Sequence, residues 1–156
     1  MIEIVNAEES HVTDICILWL EFMQYSEDID PIFAIREGII PVFEKEYLCP
    51  AMKAENSLVL VALDRNHVVG YSYSLILEPG NLNKRKKYGC IHDLFITKDY
   101  RRRRIGEKMY DEILKWFHSE GIYRVELQVI VKNKAAVSFW RKYGYMDFQN
   151  TLCRQI

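Results

Sequence analysis

The chain has 156 residues, of which 49% are hydrophobic, and its formal net charge at pH 7 is −1. This length suits one domain with a sizeable core, and the hydrophobic content excludes a largely disordered chain. Two basic runs, residues 84–87 and 101–104, hold eight of the 21 lysines and arginines, but the near-neutral total disfavours general nucleic-acid binding.

Cysteine spacing and the N-terminal sequence predict a cytoplasmic protein. The four cysteines are far apart and form no Cys-x-x-Cys pair, which is typical of reduced thiols. The N-terminus lacks a secretory pattern, and no apolar run reaches the roughly 18 residues that span a bilayer. Neither a metal site nor membrane attachment is expected.

The first 56 residues predict a strand followed by two helices. Ile2 to Val5 is the strand, and Asn6 with Glu9 resembles a capping box that begins the first helix. The acidic segment from Tyr25 to Asp30 is expected to end this helix. Asp30 and Pro31 then predict the start of a second helix, which Pro41 kinks and which ends near Pro50. The stripe on the first helix is typical of core packing and consists of Val12, Ile15, Cys16, Trp19, Phe22 and Met23.

The middle of the chain predicts three strands and a basic loop that opens into a helix. Ser57 to Leu63 and Val68 to Leu77 form two strands joined by a turn, and Cys90 to Ile96 forms the third. Four arginines, residues 101–104, precede a helix that Gly121 is expected to end as a left-handed cap. The apolar positions of this helix are Ile105, Met109, Ile113, Trp116 and Phe117.

The last part of the chain predicts a strand, a short helix and a closing strand. Apolar residues alternate from Val125 to Val131, Asn133 starts the helix and Gly144 stops it. Met146 to Arg154 can form the closing strand. The predicted fold class is α/β, one domain over residues 1–156 with a mixed sheet and the order β-α-α-β-β-β-α-β-α-β.

The strand, basic loop and helix around residue 105 predict an anion site. A helix N-terminus presents unpaired N–H groups and a favourable dipole, and Gly106 lets the backbone approach a bulky anion. A solvated basic turn before a surface helix is the alternative interpretation.

Two spaced motifs make the chain resemble the GCN5-related N-acetyltransferase (GNAT) superfamily. The first is Arg101-x-x-x-x-Gly106 after a strand, and the second is Asn133-x-x-Ala136-x-x-Phe139 followed by residues 142–145, Lys-Tyr-Gly-Tyr. The resemblance covers residues 91–145 well. It departs from the family pattern at Arg104, where the first motif glycine is usual, and at Trp140, where a tyrosine is usual.

The resemblance implies a mixed, largely antiparallel sheet flanked by helices and acetyl-CoA as co-substrate. The strand residues would bind the pantetheine arm through their backbone, and the loop amides from Arg102 to Glu107 would cradle the pyrophosphate. The implied coenzyme-binding residues are Leu94, Phe95, Ile96, Arg101, Arg102, Arg103, Arg104, Ile105, Gly106, Glu107, Asn133, Ala136, Phe139 and Trp140.

Acetyl transfer to an amine needs a base, and the resemblance points to the predicted strand from Cys90 to Ile96. Family members often carry a glutamate at one of the positions of His92 and Asp93, so His92 is the first candidate and Asp93 the second. The two side chains are expected on opposite faces of the strand. The ordinary imidazole pKa of about 6.5 suits proton removal near neutral pH. A water chain, with a structural His92 and Asp93, is the alternative.

The acid that protonates the thiolate is harder to assign, because an indole N–H is not a usable proton source. Tyr143, one turn after Trp140, is the candidate, and the ammonium product or water is the alternative. Tyr143 can equally be a core residue.

The acceptor is expected to be a primary amine. The acidic segment borders the acceptor site in the family, so Tyr25 and Asp28 are candidate substrate-binding residues for a cationic amine such as a polyamine, an aminoglycoside or a lysine side chain. A solvated acidic turn is the alternative. Dimerisation, common in the family, is left open.

Two other functions compete with acetyl transfer. Trp140 and Arg104 also fit a CoA-binding regulatory or interaction module with little turnover. The two basic runs also fit an RNA-associated protein, whose affinity would fall steeply with salt.

Overall fold

A five-stranded mixed sheet lies at the centre of the structure, a computed structural model that describes residues 1–82 and 84–156. The first four strands pair as antiparallel neighbours, and the fifth pairs parallel to the fourth. The strands are β1 (Ile2–Asn6), β2 (Ser57–Asp64), β3 (His67–Leu77), β4 (Tyr88–Ile96) and β5 (Val125–Leu127). The predicted mixed, largely antiparallel sheet is confirmed.

Helices cover both faces of this sheet. The helices are α1 (Val12–Ile29), α2 (Ile40–Val42), α3 (Cys49–Lys53), α4 (Ile105–Ser119) and α5 (Lys134–Lys142). Short 3₁₀ turns occupy Glu9–His11, Pro31–Phe33 and Lys98–Tyr100. One core cluster joins α1 and α3 to Val59 and Val61 of β2, and the other joins α4 to Leu60 and Ala62. Because both faces of β2 are buried, its sequence is a continuous apolar run.

The ends of α1 differ from the sequence prediction. Asn6 lies in β1, and the capping box is formed by Glu8 and His11, at the 3₁₀ turn that precedes α1, instead of by Asn6 and Glu9. The acidic segment does not break the helix, which continues to Ile29. In its last turns the buried Ser26 hydroxyl donates to the Phe22 carbonyl at 3.0 Å.

The second helical region also differs from the prediction. Pro31 begins only a 3₁₀ turn, and the longer helical run starts at Ile40. Pro50 lies inside this run, in the first turn of α3, directly after the π-helical segment Phe43–Leu48. The wider π turn accommodates the proline ring, and the missing N–H falls where the hydrogen-bond pattern changes.

The final strands are shorter than predicted. β5 ends at Leu127 instead of Val131, and a turn follows, in which the Asn133 N–H donates to the Ile130 carbonyl at 2.8 Å. The closing strand over Met146 to Arg154 was predicted wrongly: within the part of the chain described, no strand follows α5. β5 has only three residues and offers a short edge for such a strand to join.

No helix within residues 1–82 and 84–156 is both long enough and apolar enough to cross a bilayer.

Candidate active site

A β-bulge in β4 determines where the two candidate bases lie. Tyr73 of β3 pairs with Asp93, whereas its neighbour Ser74 pairs with Ile91, so His92 is an extra residue in the ladder. The bulge switches the alternation, because Ile91 packs on the α4 side of the sheet and Phe95 on the α1 side. The expectation that His92 and Asp93 occupy opposite faces is therefore wrong.

Three side chains form a hydrogen-bonded chain at this bulge. The Tyr71 hydroxyl donates to Asp93 Oδ2 at 2.9 Å, and Asp93 Oδ1 lies 3.1 Å from His92 Nδ1. Tyr71 is 1% exposed and Asp93 6%, whereas the His92 side chain is 62% exposed. The chain thus runs from the core to the surface. The Tyr73 ring supports it, with its centroid 5.3 Å from the imidazole.

The carboxylate of Asp93 changes the proton affinity of both neighbours. Its hydrogen bond raises the pKa of His92, and partial burial of the imidazole opposes this effect. Burial, with the charge of Asp93 second, raises the pKa of Tyr71 well above its ordinary value. Near neutral pH Tyr71 is therefore a neutral donor, and His92 Nε2 is left for another partner.

The C-terminal half of β4 extends beyond its ladder with β5. The last registered pair of that ladder is Ile91 with Leu127. Leu94, Phe95 and Ile96 follow it, and their register partners all lie on β3. Within the described residues, the edge of β4 that faces β5 therefore has no strand partner beyond Ile91, as the resemblance implies for a splayed pair of parallel strands.

The loop before α4 adopts glycine-like conformations without glycines. Arg102 and Arg104 have φ of 64° and 61°, in the left-handed region that L residues rarely adopt. Arg104 is the N-cap of α4, and its exposed side chain donates from Nε to Glu107 Oε2 at 2.9 Å. The departure at Arg104 therefore places an arginine in a conformation that glycine adopts at lower cost.

The first turn of α4 presents its N–H groups without a side-chain cap. Within the described chain, no side chain caps this helix, and the arginines at 102–104 are exposed. Gly106 follows in this turn. A Cβ placed there would lie 3.7 Å from the Phe139 ring, an ordinary contact, and its φ is not left-handed. Neither packing nor backbone conformation requires glycine at this position.

Arg101 points away from this turn. Its Nε donates to the Ile96 carbonyl at 2.9 Å, and its guanidinium lies 4.7 Å from the Tyr25 ring centroid and 5.3 Å from that of Phe95. Its side chain therefore lies at the end of β4 on the α1 side. Thr97 is nearby, and its hydroxyl donates to the Glu21 carboxylate at 2.8 Å.

This corner contains a cleft of about 650 Å³ with side chains of both charges. It is lined by Leu20, Glu21, Gln24, Tyr25, Glu27, Asp28, Ile35, Lys98 and Arg101. The structure thus brings both candidate substrate residues, Tyr25 and Asp28, into one cleft. Asp28 accepts a hydrogen bond from the Gln24 amide at 3.1 Å. The nearby Asp30 instead binds Lys132 Nζ at 2.5 Å, which lowers the pKa of Asp30.

The second motif forms α5, which packs against α4. Asn133 caps α5, since its Oδ1 accepts from the Ala136 N–H at 3.1 Å. The Trp140 ring lies edge-on to the rings of Tyr110 and Tyr145, with centroids 5.7 and 5.4 Å away. Trp140 is therefore part of an aromatic cluster that joins the two helices.

Tyr143 lies in the same cluster, apart from His92. Its ring centroid is 4.5 Å from that of Tyr110 and 5.1 Å from that of Phe139. His92 contacts β3 residues on the α1 side of the sheet, whereas this cluster packs on the α4 side. The structure brings together two of the three candidate catalytic residues, and the catalytic role of Tyr143 stays a prediction.

Two sets of contacts in the site were not identified from the sequence, although Glu107 itself is among the predicted coenzyme-binding residues. Glu107 joins the helices, because it accepts from Arg104 and, at 2.9 Å, from Lys142 Nζ, and these bonds lower its pKa. Tyr71 makes the other. Its position in an alternating strand is typical of any core tyrosine, so only the ladder register reveals its contact with Asp93.

Comparison with known proteins identifies the class. A model of the Acetyltransferase (GNAT) family matches residues 18–145, so the chain belongs to this family. An uncharacterized N-acetyltransferase of Methanocaldococcus jannaschii is 34% identical over 67 residues, which are 43% of this chain but only 29% of that protein.

Solved structures share the fold over nearly the whole chain. A tetramutant of the BH1408 protein from Bacillus halodurans superimposes with a TM-score of 0.85 at 21% identity, covering 99% of both chains. A predicted acetyltransferase of Clostridium acetobutylicum, solved with acetyl-CoA, gives 0.75 at 16% identity, covering 99% of this chain and 96% of that one. These likenesses confirm the GNAT fold that the motifs predict.

Proposed function

We propose that this protein transfers an acetyl group directly from acetyl-CoA to a primary amine. The observation that carries the proposal is the uncapped first turn of α4, where glycine at 106 is required by neither φ nor packing. A closely approaching ligand explains that glycine. The Clostridium acetobutylicum relative, which was solved with acetyl-CoA, supports the identity of the ligand.

The residues around this turn fit the coenzyme. N–H groups from Arg102 to Glu107 would hold the pyrophosphate, and the exposed arginine side chains would add charge-assisted bonds of about 1.5–3 kcal/mol each where they are desolvated. The open edge of β4 at Leu94 to Ile96 would hold the pantetheine arm. Asn133 and Ala136 start α5, and Phe139 lies beside Gly106, so the second motif would border the same site.

His92 is the proposed base. Bound acetyl-CoA supplies a thioester, whose C–S bond breaks as the acceptor nitrogen forms the C–N bond of the amide, and CoA leaves as the thiolate. The nitrogen gives up a second proton in this step, which balances the proton that the thiolate takes up. His92 Nε2 takes a proton from the acceptor ammonium, which makes the nitrogen lone pair available. Asp93 holds the imidazole through Nδ1, and its charge stabilises the imidazolium that results. Tyr143 is the proposed donor to the thiolate, and loss of rate in Tyr143→Phe would test it.

The acceptor is proposed to be a cationic amine that enters the cleft beside α1. Glu27 and Asp28 supply negative charge there, and the Tyr25 ring, against which the Arg101 guanidinium already lies, lines the same cleft. Carboxylates and ring faces both attract ammonium groups. Lys98 and Arg101 line the same cleft and partly offset this negative charge. For an acceptor with two ammonium groups, the attraction therefore depends on where the group that does not react lies.

A CoA-binding module with little turnover is the second candidate. Trp140 favours it, since this residue replaces the usual tyrosine and packs into the α4–α5 cluster. A thermal-shift assay with acetyl-CoA and a CoA-thiol release assay with diamines, aminoglycosides and lysine peptides separate the two. We expect a raised melting temperature and amine-dependent thiol release. Tight acetyl-CoA binding without release from any amine would favour the module, and no binding would refute both.

A further inference from the structure

A tyrosine on β3 controls the base, on the assumption that His92 is the base of the proposed transferase. We infer that Tyr71 is a positioning residue that fixes the direction of the Tyr71–Asp93–His92 chain. Its hydroxyl donates to Oδ2 of Asp93, so Oδ1 faces His92 and accepts the Nδ1 proton. The imidazole is thereby held as the Nδ1–H tautomer, whose Nε2 lone pair takes the proton of the acceptor.

The direction of the chain follows from the chemistry of its members. An ionised carboxylate only accepts hydrogen bonds, whereas a phenol can donate one. Tyr71 is 1% exposed and donates to Asp93 at 2.9 Å, so water does not compete for its proton. The bulge at His92 is needed, because in a regular strand the two side chains of β4 would face opposite sides.

Three titratable groups beside the chain are neutral near pH 7. They are Tyr73 on β3, Cys16 on α1 and Cys90 on β4. Burial raises the pKa of all three, and that of Cys16 to about 11. Asp93 is therefore the charged group that His92 meets at this position, with Glu126 acting on Cys90 from β5.

An asparagine at position 93 exposes the role of Tyr71. In Asp93→Asn the Tyr71 hydroxyl selects the amide oxygen, which turns the amide NH₂ toward His92 Nδ1. His92 then carries its proton on Nε2 and cannot accept another there. A wrong tautomer of this kind lowers kcat by about 10⁴-fold in a serine protease triad, and we expect a loss of roughly 10²–10⁴-fold here.

The double variant Tyr71→Phe/Asp93→Asn makes the inference falsifiable. Without the hydroxyl, the amide is free to turn its oxygen toward His92, and the Nδ1–H tautomer returns. We expect the double variant to release CoA thiol at least ~10-fold faster than Asp93→Asn alone. A residue that only supports the fold would make the double variant slower, so a double variant as slow as the single one overturns the inference.

Nitrogen NMR of the His92 ring provides a readout that does not need activity. Wild type should show Nδ1–H, Asp93→Asn should show Nε2–H, and the double variant should show Nδ1–H again. Tyr73→Phe is the matched control, since it removes a neighbouring hydroxyl and should keep the wild-type tautomer. An Nε2–H tautomer in wild type overturns the inference even if the variants do not fold. If wild type releases no thiol with any amine, the proposed function fails while these spectra still decide the role of Tyr71.

Discussion

Replacing Gly106 by alanine should separate the stability of the fold from coenzyme binding. The added Cβ lies 3.7 Å from Phe139, so the free protein accommodates it without strain. Alanine also favours the helix and restricts the unfolded chain, which together raise the free energy of unfolding by about 0.5–1 kcal/mol. For a chain of this length, the melting temperature should rise by about 1–4 °C.

The same methyl group should weaken acetyl-CoA binding. If the pyrophosphate lies against the backbone of this turn, the Cβ moves it away and weakens at least one charge-assisted hydrogen bond of about 1.5–3 kcal/mol. This loss corresponds to roughly 10–150-fold in Kd. Titration calorimetry with acetyl-CoA and a thermal melt of the free protein measure the two effects on one variant.

A second glycine provides the control. Gly80 lies in the loop after β3, and a Cβ there meets nothing within 4 Å. Gly80→Ala should therefore leave the acetyl-CoA Kd unchanged. An unchanged Kd in Gly106→Ala would refute the argument that this glycine serves the ligand, whether or not the stability rises.

Three other perturbations test separate parts of the structure. Because Asp93 raises the pKa of His92, kcat/KM should fall as the pH drops through a value above about 6.5. His92→Ala should lose this fall at acidic pH. The same fall in His92→Ala would assign the base elsewhere. In Gly70→Ala the added Cβ would lie 2.9 Å from the Phe95 carbonyl oxygen. Urea denaturation should therefore show a free energy of unfolding lower by about 1–3 kcal/mol. An unchanged free energy of unfolding would contradict the strand packing. Asp28→Asn should raise KM for a diamine by about 2–5-fold at constant kcat and leave that of a monoamine, which has no second ammonium group, unaffected. Equal effects on both amines would exclude a charge role.

Elements with strong local signals were predicted well from the sequence. β2 and β3 match the prediction to within one residue, and Asn133 caps α5 as expected. Gly121 has φ of 71° and follows α4 as the predicted left-handed residue. Each of these features depends on neighbours in the chain, which the sequence shows directly.

Features set by contacts distant in sequence were missed. The bulge at His92 arises from the pairing of β4 with β3, and nothing in residues 90–96 alone marks it. The acidic end of α1 is a separate, local case: it stays helical, with Ser26 donating to Phe22 and Gln24 to Asp28, each one turn away. The left-handed Arg102 and Arg104 carry no glycine to signal their conformation. For the same reason the sequence could rank His92 and Asp93 but could not show that they act as a pair.

The short ladder between β4 and β5 has a consequence for deuterium uptake. Successive N–H groups of a strand point alternately to its two neighbours. Beyond Ile91, those that face β3 are protected by the ladder, while those that face β5 are open. Exchange along residues 93–96, past the bulge at His92, should therefore alternate between slow and fast amides in the free protein. A molecule seated along that edge would slow the fast set, and so report its own path residue by residue.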